Sequence, residues 1–216
     1  MKNSIKLLAF FCVFFLSCVN ENKTNKKKEL ITKIKSENCV FSSDLKATQV
    51  IWSGYKTTDK LKVTGQFKKF KSSKIFQNNQ YESVEDLIEG LDFIIDLGSS
   101  VSGDPIRDGN LKDFFFNLLA KNLVIRGQFE KIEGDSINVL LKLFGQEKRF
   151  KLGAFYENDM FEIKGTVNII DQLGAKKAFE GISNKCYDLH KGPDGISKTW
   201  EEVEVFIKAP IIKTCN

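Results

Sequence analysis

The sequence predicts an all-β fold, an antiparallel barrel of about eight strands with a few short helices. Three observations predict it. Apolar and polar residues alternate with a period of two along most of the chain, which is typical of strands with one buried side and one wet side. Short polar turns separate these stretches, and no segment combines the length and period of a long helix.

The alternating stretches predict eight or nine strands. We expect strands over residues 48–56, 60–70, 74–77, 92–97, 121–131, 136–144, 147–156, 160–170 and 200–213. In the stretch 160–170, for example, Phe161, Ile163 and Val167 alternate with polar residues. Because short hairpin connections separate several of these strands, sequential neighbours are expected to pair antiparallel.

Three short helices interrupt the strands. Ser83 is a suitable N-cap for a helix over 84–89. A second helix is expected over 111–119, with Asp108 or Asn110 as its cap, and a third over 173–182. None is long enough to serve the repeated crossovers of a parallel sheet.

Two features favour a closed barrel over a two-sheet sandwich. Gly65, Gly127 and Gly165 each occupy the inward register of a strand, where glycine often marks a bend or a close approach. The other inward residues are bulky and apolar. A barrel of this size either fills with its own side chains or encloses one ligand, and the pattern alone supports both equally.

The distribution of charge excludes nucleic-acid binding as the expected function. The chain has 216 residues and a net charge of +5. Residues 1–17 carry +2 and residues 21–37 carry +3, whereas residues 38–216 balance 25 basic against 25 acidic residues. A nucleic-acid-binding domain needs a basic surface on its folded body, and this body has no surplus.

The N-terminal sequence predicts an export signal with a lipid anchor. Lys2 and Lys6 precede an apolar run over 7–16 that is too short to span a bilayer. The Phe-Leu-Ser-Cys sequence at 15–18 resembles the lipobox of bacterial lipoproteins, with Phe in place of the usual Leu. The resemblance implies lipidation of Cys18, and an ordinary cleaved signal with an incidental cysteine is the alternative.

These features predict the organisation of the chain. We expect a lipoprotein-type signal peptide over 1–17, the lipidated Cys18 with a flexible lysine-rich tether over 18–37, and one barrel domain over 38–216. The expected location is the cell envelope, with the protein anchored in the membrane by its lipid and facing the periplasm.

The cysteine count predicts one disulfide. With Cys18 lipidated, three cysteines remain in an oxidising compartment, which suggests one pair and one free thiol. The first and last strands of a closed barrel are neighbours, which favours pairing of Cys39 with Cys215 and leaves Cys186 free. A metal site at Cys186 and His190 is the alternative. Zinc needs four ligands and the chain has a single histidine, so no metal is expected.

No catalytic motif is present. The sequence contains no GxSxG, HExxH, phosphate-binding loop or GxGxxG, and one histidine leaves little room for a histidine-based pair. We therefore expect a protein that is not an enzyme and uses no cofactor.

Four segments in order carry a resemblance to a known family. They are an aromatic strand followed by V-x-G-x-F (50–56 and 63–67), R-D-x-x-L followed by two phenylalanines (106–115), an L-x-L-x-G hairpin (141–152), and a closing Cys-Tyr-Asp-Leu-His segment with the strand after it (186–205). On these residues the chain resembles the YceI-like, lipid- or polyisoprenoid-binding proteins of bacterial envelopes, and more closely their lipoprotein members in the Bacteroidetes. The resemblance spans residues 48–209. Members of the periplasmic branch often have a histidine where this chain has Lys56.

The resemblance implies an extended, lipocalin-like antiparallel β-barrel with a helix cluster at one end and a long apolar channel. The channel would hold a polyisoprenoid, a quinone or another lipid. Expected wall residues are Trp52, Phe67, Phe93, Ile95, Phe114, Phe115, Ile125, Leu141 and Phe161. Since consecutive residues of a helix point in different directions, the phenylalanines at 114–116 cannot all face the channel.

Lys56, Arg107 and Asp108 are the expected residues of the channel mouth. An Arg107–Asp108 ion pair that only fixes its loop is the alternative for those two. For the whole protein, the alternative is a filled barrel that acts as a structural or protein-interaction module in the cell envelope. The oligomeric state is open, a homodimer included.

Overall fold

The computed structural model describes residues 38–44, 46–72 and 80–216. The predicted signal peptide over 1–17, the lipidated Cys18 with its tether over 18–37, and the strand predicted over 74–77 lie outside the described residues. None of the helices in the described part of the chain has the length and apolar character needed to cross a membrane.

The described chain is dominated by strands. They are β1 (Cys39–Ser43), β2 (Gln49–Lys56), β3 (Leu61–Phe67), β4 (Phe70–Ser72), β5 (Leu91–Asp96), β6 (Ser100–Val101), β7 (Val124–Glu133), β8 (Ser136–Leu143), β9 (Gln146–Glu157), β10 (Met160–Asn168) and β11 (Glu202–Cys215). The α-helices are α1 (Val84–Ile88), α2 (Pro105–Leu111), α3 (Asn117–Leu119) and α4 (Lys176–Lys185). A π-helix at Lys112–Phe116 joins α2 to α3, and 3-10 turns lie at Leu97–Ser99, Lys121–Leu123 and Asp188–His190.

Hydrogen bonds close the sheet into a barrel with eight strand positions. β3 and β4 are two halves of one run, which pairs with β2 at its start and with β5 at its end. β5 and β6 form the next run, because β6 pairs with β3 and β5 pairs with β7. From β7 onward each strand pairs with the next as far as β11, which pairs back onto β2. The predicted antiparallel barrel of about eight strands is therefore confirmed.

A disulfide joins the two ends of the described chain. β1, which the sequence pattern did not predict, pairs with the last residues of β11 and sets Cys39 opposite Cys215. These two cysteines form a disulfide across a separation of 176 residues, as predicted. Cys186 is a buried free thiol.

Two packed clusters occupy the two ends of the barrel. At one end, which we call the floor, α1 inserts Val84, Leu87 and Ile88 into an apolar cluster. Ser83 caps this helix as predicted, since its side chain accepts a hydrogen bond from the backbone N–H of Asp86. At the other end, α2, the π-helix, α3 and α4 form a second cluster.

The helix at the second end begins earlier than predicted. Its N-cap is Asp104, whose carboxylate accepts hydrogen bonds from the backbone N–H groups of Ile106 and Arg107. Pro105 is its first residue, where the fixed φ of proline suits a helix and its missing N–H costs nothing. Asp108 and Asn110, the predicted caps, therefore lie within the helix.

Candidate functional site

A cavity of about 450 Å³ lies inside the barrel, between the floor and the helical end. This volume is within the range of about 300–1,000 Å³ that is typical of small-molecule sites. Every barrel position contributes apolar side chains to its wall. They include Trp52, Phe67, Phe93, Ile95, Ile125, Phe129, Val139, Leu141, Phe150, Leu152, Val167, Val203, Val205 and Ile207.

The interior is hollow in its middle and filled at its floor. Val203, Val205 and Ile207 of β11 face the cavity, yet all three are only half-buried because open space lies in front of them. At the floor, in contrast, Phe41 and Ile137 have no exposed surface. Of the two alternatives that the pattern left open, the structure has a cavity within the barrel and not a filled interior.

The inward glycines provide room for neighbouring rings and do not themselves form the gap. A Cβ on Gly65 would lie 2.3 Å from the indole of Trp52, and a Cβ on Gly127 would lie 2.4 Å from the ring of Phe93. Gly165 is covered in the same way by Leu152, at 2.6 Å. The absent Cβ atoms let these side chains lie flat on the wall, so the open space lies in front of them.

Helices form the lid over the cavity. Phe115, Phe116 and Leu119 point down from the π-helix and α3, while Phe179 and Ile182 point in from α4. Gly181 of α4 allows close packing of the two segments, because its Cβ would lie 2.4 Å from the backbone oxygen of Phe114. Most of the lid is therefore as apolar as the wall.

The cavity opens where its lining reaches the surface. Ile106 on α2 and Leu189 on the segment 186–200 line the cavity and are also 74% and 59% exposed. The polar lining residues gather at the helical end as well. They are Lys56 at the end of β2, Asp104, Arg107 and Asn110 around the start of α2, and His190 and Thr199 on the segment 186–200.

Hydrogen bonds hold the segment 186–200 against β2 at this mouth. The indole N–H of Trp200 donates to the backbone oxygen of Thr57 at 2.8 Å. The ring nitrogen Nδ1 of His190 and the hydroxyl of Thr199 are 2.7 Å apart. The Lys56 ammonium donates to the backbone oxygen of Leu189 at 3.3 Å. The mouth is thus assembled from residues far apart in sequence.

Burial and nearby charge shift the pKa values of two side chains at this end of the cavity. Burial, and then the charge of Lys56, lower the pKa of His190 below its ordinary value of 6.5, which favours the neutral ring. Burial likewise raises the pKa of the Cys186 thiol, which also lines the cavity. These shifts favour the neutral forms of both the His190 ring and the Cys186 thiol.

The structure places seven of the nine predicted wall residues on the cavity. These are Trp52, Phe67, Phe93, Ile95, Phe115, Ile125 and Leu141. Phe114 lies elsewhere: it is 37% exposed, and the Lys185 ammonium stands 4.9 Å from its ring. Phe161 also lies elsewhere, because it is packed into the floor cluster with Phe41 and Ile211.

Lys56 and Arg107 are both at the mouth, as predicted, but Asp108 is not. The Asp108 carboxylate turns back to accept from the N–H and hydroxyl of Ser102. The Arg107 guanidinium donates to the hydroxyl and the backbone oxygen of the same serine, at 2.7 and 2.9 Å. Arg107 and Asp108 are therefore linked through Ser102 and form no direct ion pair.

Sequence reasoning missed part of the mouth and most of the lid. Asp104, Asn110 and His190 were not assigned to the mouth, and Phe116 and Ile182 were not assigned to the wall. Asp followed by Pro is a recognisable signal for the start of a helix, so Asp104 and Pro105 could have predicted the start of α2, the helix at the mouth. Within the described residues, no group of three or more His, Cys, Asp or Glu side chains could hold a metal ion.

No protein-family model and no curated protein matches this sequence. Among solved structures, the chain is similar to a polyisoprenoid binding domain from Saccharophagus degradans implicated in plant cell wall breakdown. The two are 14% identical with a TM-score of 0.54, over 82% of this chain and 98% of that one.

Two further solved structures are also similar. BcnA of Burkholderia cenocepacia is 14% identical with a TM-score of 0.49, over 79% of this chain and 99% of that one. The YceI protein of Campylobacter jejuni is 17% identical with a TM-score of 0.43, over 71% and 85%. The match to the Saccharophagus domain shows that the two chains share their fold, in agreement with the predicted antiparallel β-barrel.

Proposed function

We propose that this chain is an envelope lipoprotein of the YceI-like type, which binds and carries a polyisoprenoid, a quinone or another apolar amphiphile. One observation carries the proposal: within the described residues, a cavity of about 450 Å³ has an apolar wall and lid, and its charged lining residues lie at the end where Ile106 and Leu189 reach the surface. That division matches a ligand with an apolar tail and a polar head. The Saccharophagus domain, which has the same fold, is a polyisoprenoid binding domain.

The energy of binding would come from the tail. An isoprenoid tail has no hydrogen-bonding group, so an apolar wall can bind it without any polar contact. Each buried CH₂ contributes about 0.8 kcal/mol, so a few isoprene units suffice for tight binding without any polar contact. The polar mouth would then set the depth and orientation of the ligand.

Exposed apolar side chains beside the mouth support exchange of the ligand with a membrane. In the part of the chain that the structure describes, ten large apolar residues are exposed, and six of them lie on the two segments that bound the opening. They are Ile106, Phe114 and Leu118 on the helical segment and Tyr187, Leu189 and Ile196 on the segment 186–200. Apolar surface concentrated in this way marks an interaction site more often than scattered surface does.

Affinity measured against tail length tests the proposal. Polyprenyl alcohols of increasing length would be titrated against the full chain held in nanodiscs of zwitterionic lipid, with a fluorescent apolar probe as competitor. We expect affinity to rise with each isoprene unit until the cavity is full and then to level off. A barrel acting only as an interaction module would show no dependence on length.

The lipid anchor needs its own test. Cells expressing the full chain would be fed an alkyne-bearing fatty acid, and label on the protein would be detected after coupling to a fluorophore. We expect label on the wild-type chain and none on the Cys18→Ser variant. Equal labelling of both chains would contradict the anchor without bearing on the cavity.

A further inference from the structure

Among the residues that the structure describes, three charged ones line the cavity, and all three lie at the mouth. They are Lys56, Asp104 and Arg107, so the charged groups of the described lining sum to one positive charge. Asp104 is within electrostatic range of both cations. The polar end of a bound amphiphile would meet this group first.

Within the described part of the chain, neither of the two cations forms an ion pair with a carboxylate. Among the described residues, neither Lys56 nor Arg107 has a carboxylate oxygen within 4.0 Å, whereas Lys62 and Lys191 nearby are paired with Glu204 at 2.5 Å and Asp188 at 2.7 Å. Lys56 donates only to a backbone oxygen, and Arg107 donates to two oxygens of Ser102. Each cation therefore keeps capacity for an anion.

The acidic residue at the mouth, Asp104, already accepts hydrogen bonds from the backbone. One carboxylate oxygen of Asp104, Oδ1, accepts the backbone N–H groups of both Ile106 and Arg107 and so caps the mouth helix. It orders the segment that carries Arg107 and leaves the positive charge of the mouth in excess. The remaining polar groups, on Asn110, His190 and Thr199, are neutral side chains able to hydrogen-bond a head group.

An anion placed here would gain more than it would in water. The wall and lid exclude water on one side of the mouth, and hydrogen bonds between ionised partners are about twice as strong as neutral ones. The planar guanidinium of arginine suits phosphate and carboxylate oxygens, and the lysine ammonium adds a mobile point charge.

We propose that the mouth is a binding site for an anionic head group, so that the preferred ligand carries a phosphate or a carboxylate on its apolar tail. The inference rests on the proposed function, because it names the class of amphiphile that the same cavity takes. Lys56 and Arg107 contact the head group, and the tail occupies the space between Val205, Phe115 and Leu141.

Three probes separate the sources of the signal: geranylgeranyl phosphate, geranylgeraniol and inorganic phosphate. Each would be titrated against the full chain in zwitterionic nanodiscs, with displacement of a fluorescent apolar probe as the readout. We expect the wild-type chain to bind the phosphate ester at least tenfold more tightly than the alcohol. Inorganic phosphate at the same concentrations should displace nothing.

Variants then test which residues cause the preference for the phosphate ester over the alcohol. Lys56→Gln and Arg107→Gln should each lower the phosphate-to-alcohol affinity ratio about fivefold or more. Lys191→Gln, at the same end but paired with Asp188 and outside the lining, should leave that ratio at its wild-type value. Because partitioning into the nanodisc is common to all variants, it cancels in this comparison. Circular dichroism melts would confirm that each variant is folded.

The outcomes are distinct. Equal affinity for ester and alcohol would overturn the anionic head group and leave the cavity proposal standing. Displacement of the probe by inorganic phosphate alone would assign the site to a free anion and would overturn the proposal of a lipid head group. No binding of ester or alcohol would overturn the proposed function itself.

Discussion

Filling the cavity from Gly54 should block the ligand and leave the barrel intact. Gly54 lies on β2, two residues from Trp52 and so on the same side of the strand. It lines the cavity, and a Cβ placed on it meets no atom within 4 Å. The Gly54→Leu variant therefore places its Cβ in open space and extends the rest of the side chain into the cavity that Gly54 lines.

The size of the effect follows from the carbons displaced. The leucine side chain brings four carbon atoms into the space that we assign to the ligand tail. If each displaces one CH₂ of the tail from the wall, the loss is roughly 3 kcal/mol at about 0.8 kcal/mol per group. Since each 1.4 kcal/mol is tenfold, affinity should fall about 200-fold.

Competition titration with a polyprenyl ligand measures the affinity, and a thermal melt measures stability. Gly127→Ala is the matched control on a covered glycine, because its Cβ would lie 2.4 Å from Phe93 and 2.5 Å from the backbone oxygen of Leu140. Overpacking of that kind costs about 1–3 kcal/mol, and the melting temperature should fall by about 2–12 °C. Gly54→Leu should melt close to the wild-type temperature.

One result would refute this reasoning. If folded Gly54→Leu protein bound the ligand with wild-type affinity, the ligand would lie outside the cavity. If Gly54→Leu melted as low as Gly127→Ala, the space at Gly54 would not be open in the folded protein.

Three further predictions concern the disulfide and the titratable groups. Replacing Cys39 and Cys215 by serine should lower stability by about 2–5 kcal/mol and the melting temperature by about 4–20 °C, measured by calorimetry, because the link closes a long loop. The lowered pKa of His190 means that only the unfolded chain takes up its proton near pH 6.5, so stability should fall as the pH drops below that value. His190→Gln should weaken this dependence in melts from pH 7 to pH 5; an unchanged profile would contradict it. The Cys186 thiol, neutral and on the cavity wall, should react slowly with N-ethylmaleimide and more slowly still with ligand bound, as mass spectrometry would show.

Local patterns in the sequence were enough to predict most of the barrel. The alternation over 160–170 and 136–144 corresponds to β10 (Met160–Asn168) and β8 (Ser136–Leu143). Period two is a property of each strand by itself, so it can be read without knowing the neighbours. β1 escaped detection because Cys39–Ser43 is short and is held chiefly by its pairing with β11.

The cavity depends on how distant segments meet, and sequence carries that information weakly. Phe161 alternates like a wall residue, yet the floor cluster covers it. Phe114, Phe115 and Phe116 are identical in chemistry, and only the packing of the helix against α4 decides which two line the cavity. For the same reason, alternating glycines and aromatic residues could not show whether the interior was filled.

Native mass spectrometry of the full chain tests the central claim most directly. The protein would be taken from envelope membranes in a mild detergent, and any adduct would be extracted into organic solvent and identified. We predict one apolar amphiphile for each chain, and loss of that adduct in Gly54→Leu. A chain that stayed free of ligand after incubation with total envelope lipid would contradict the account and favour a barrel that works through protein contacts alone.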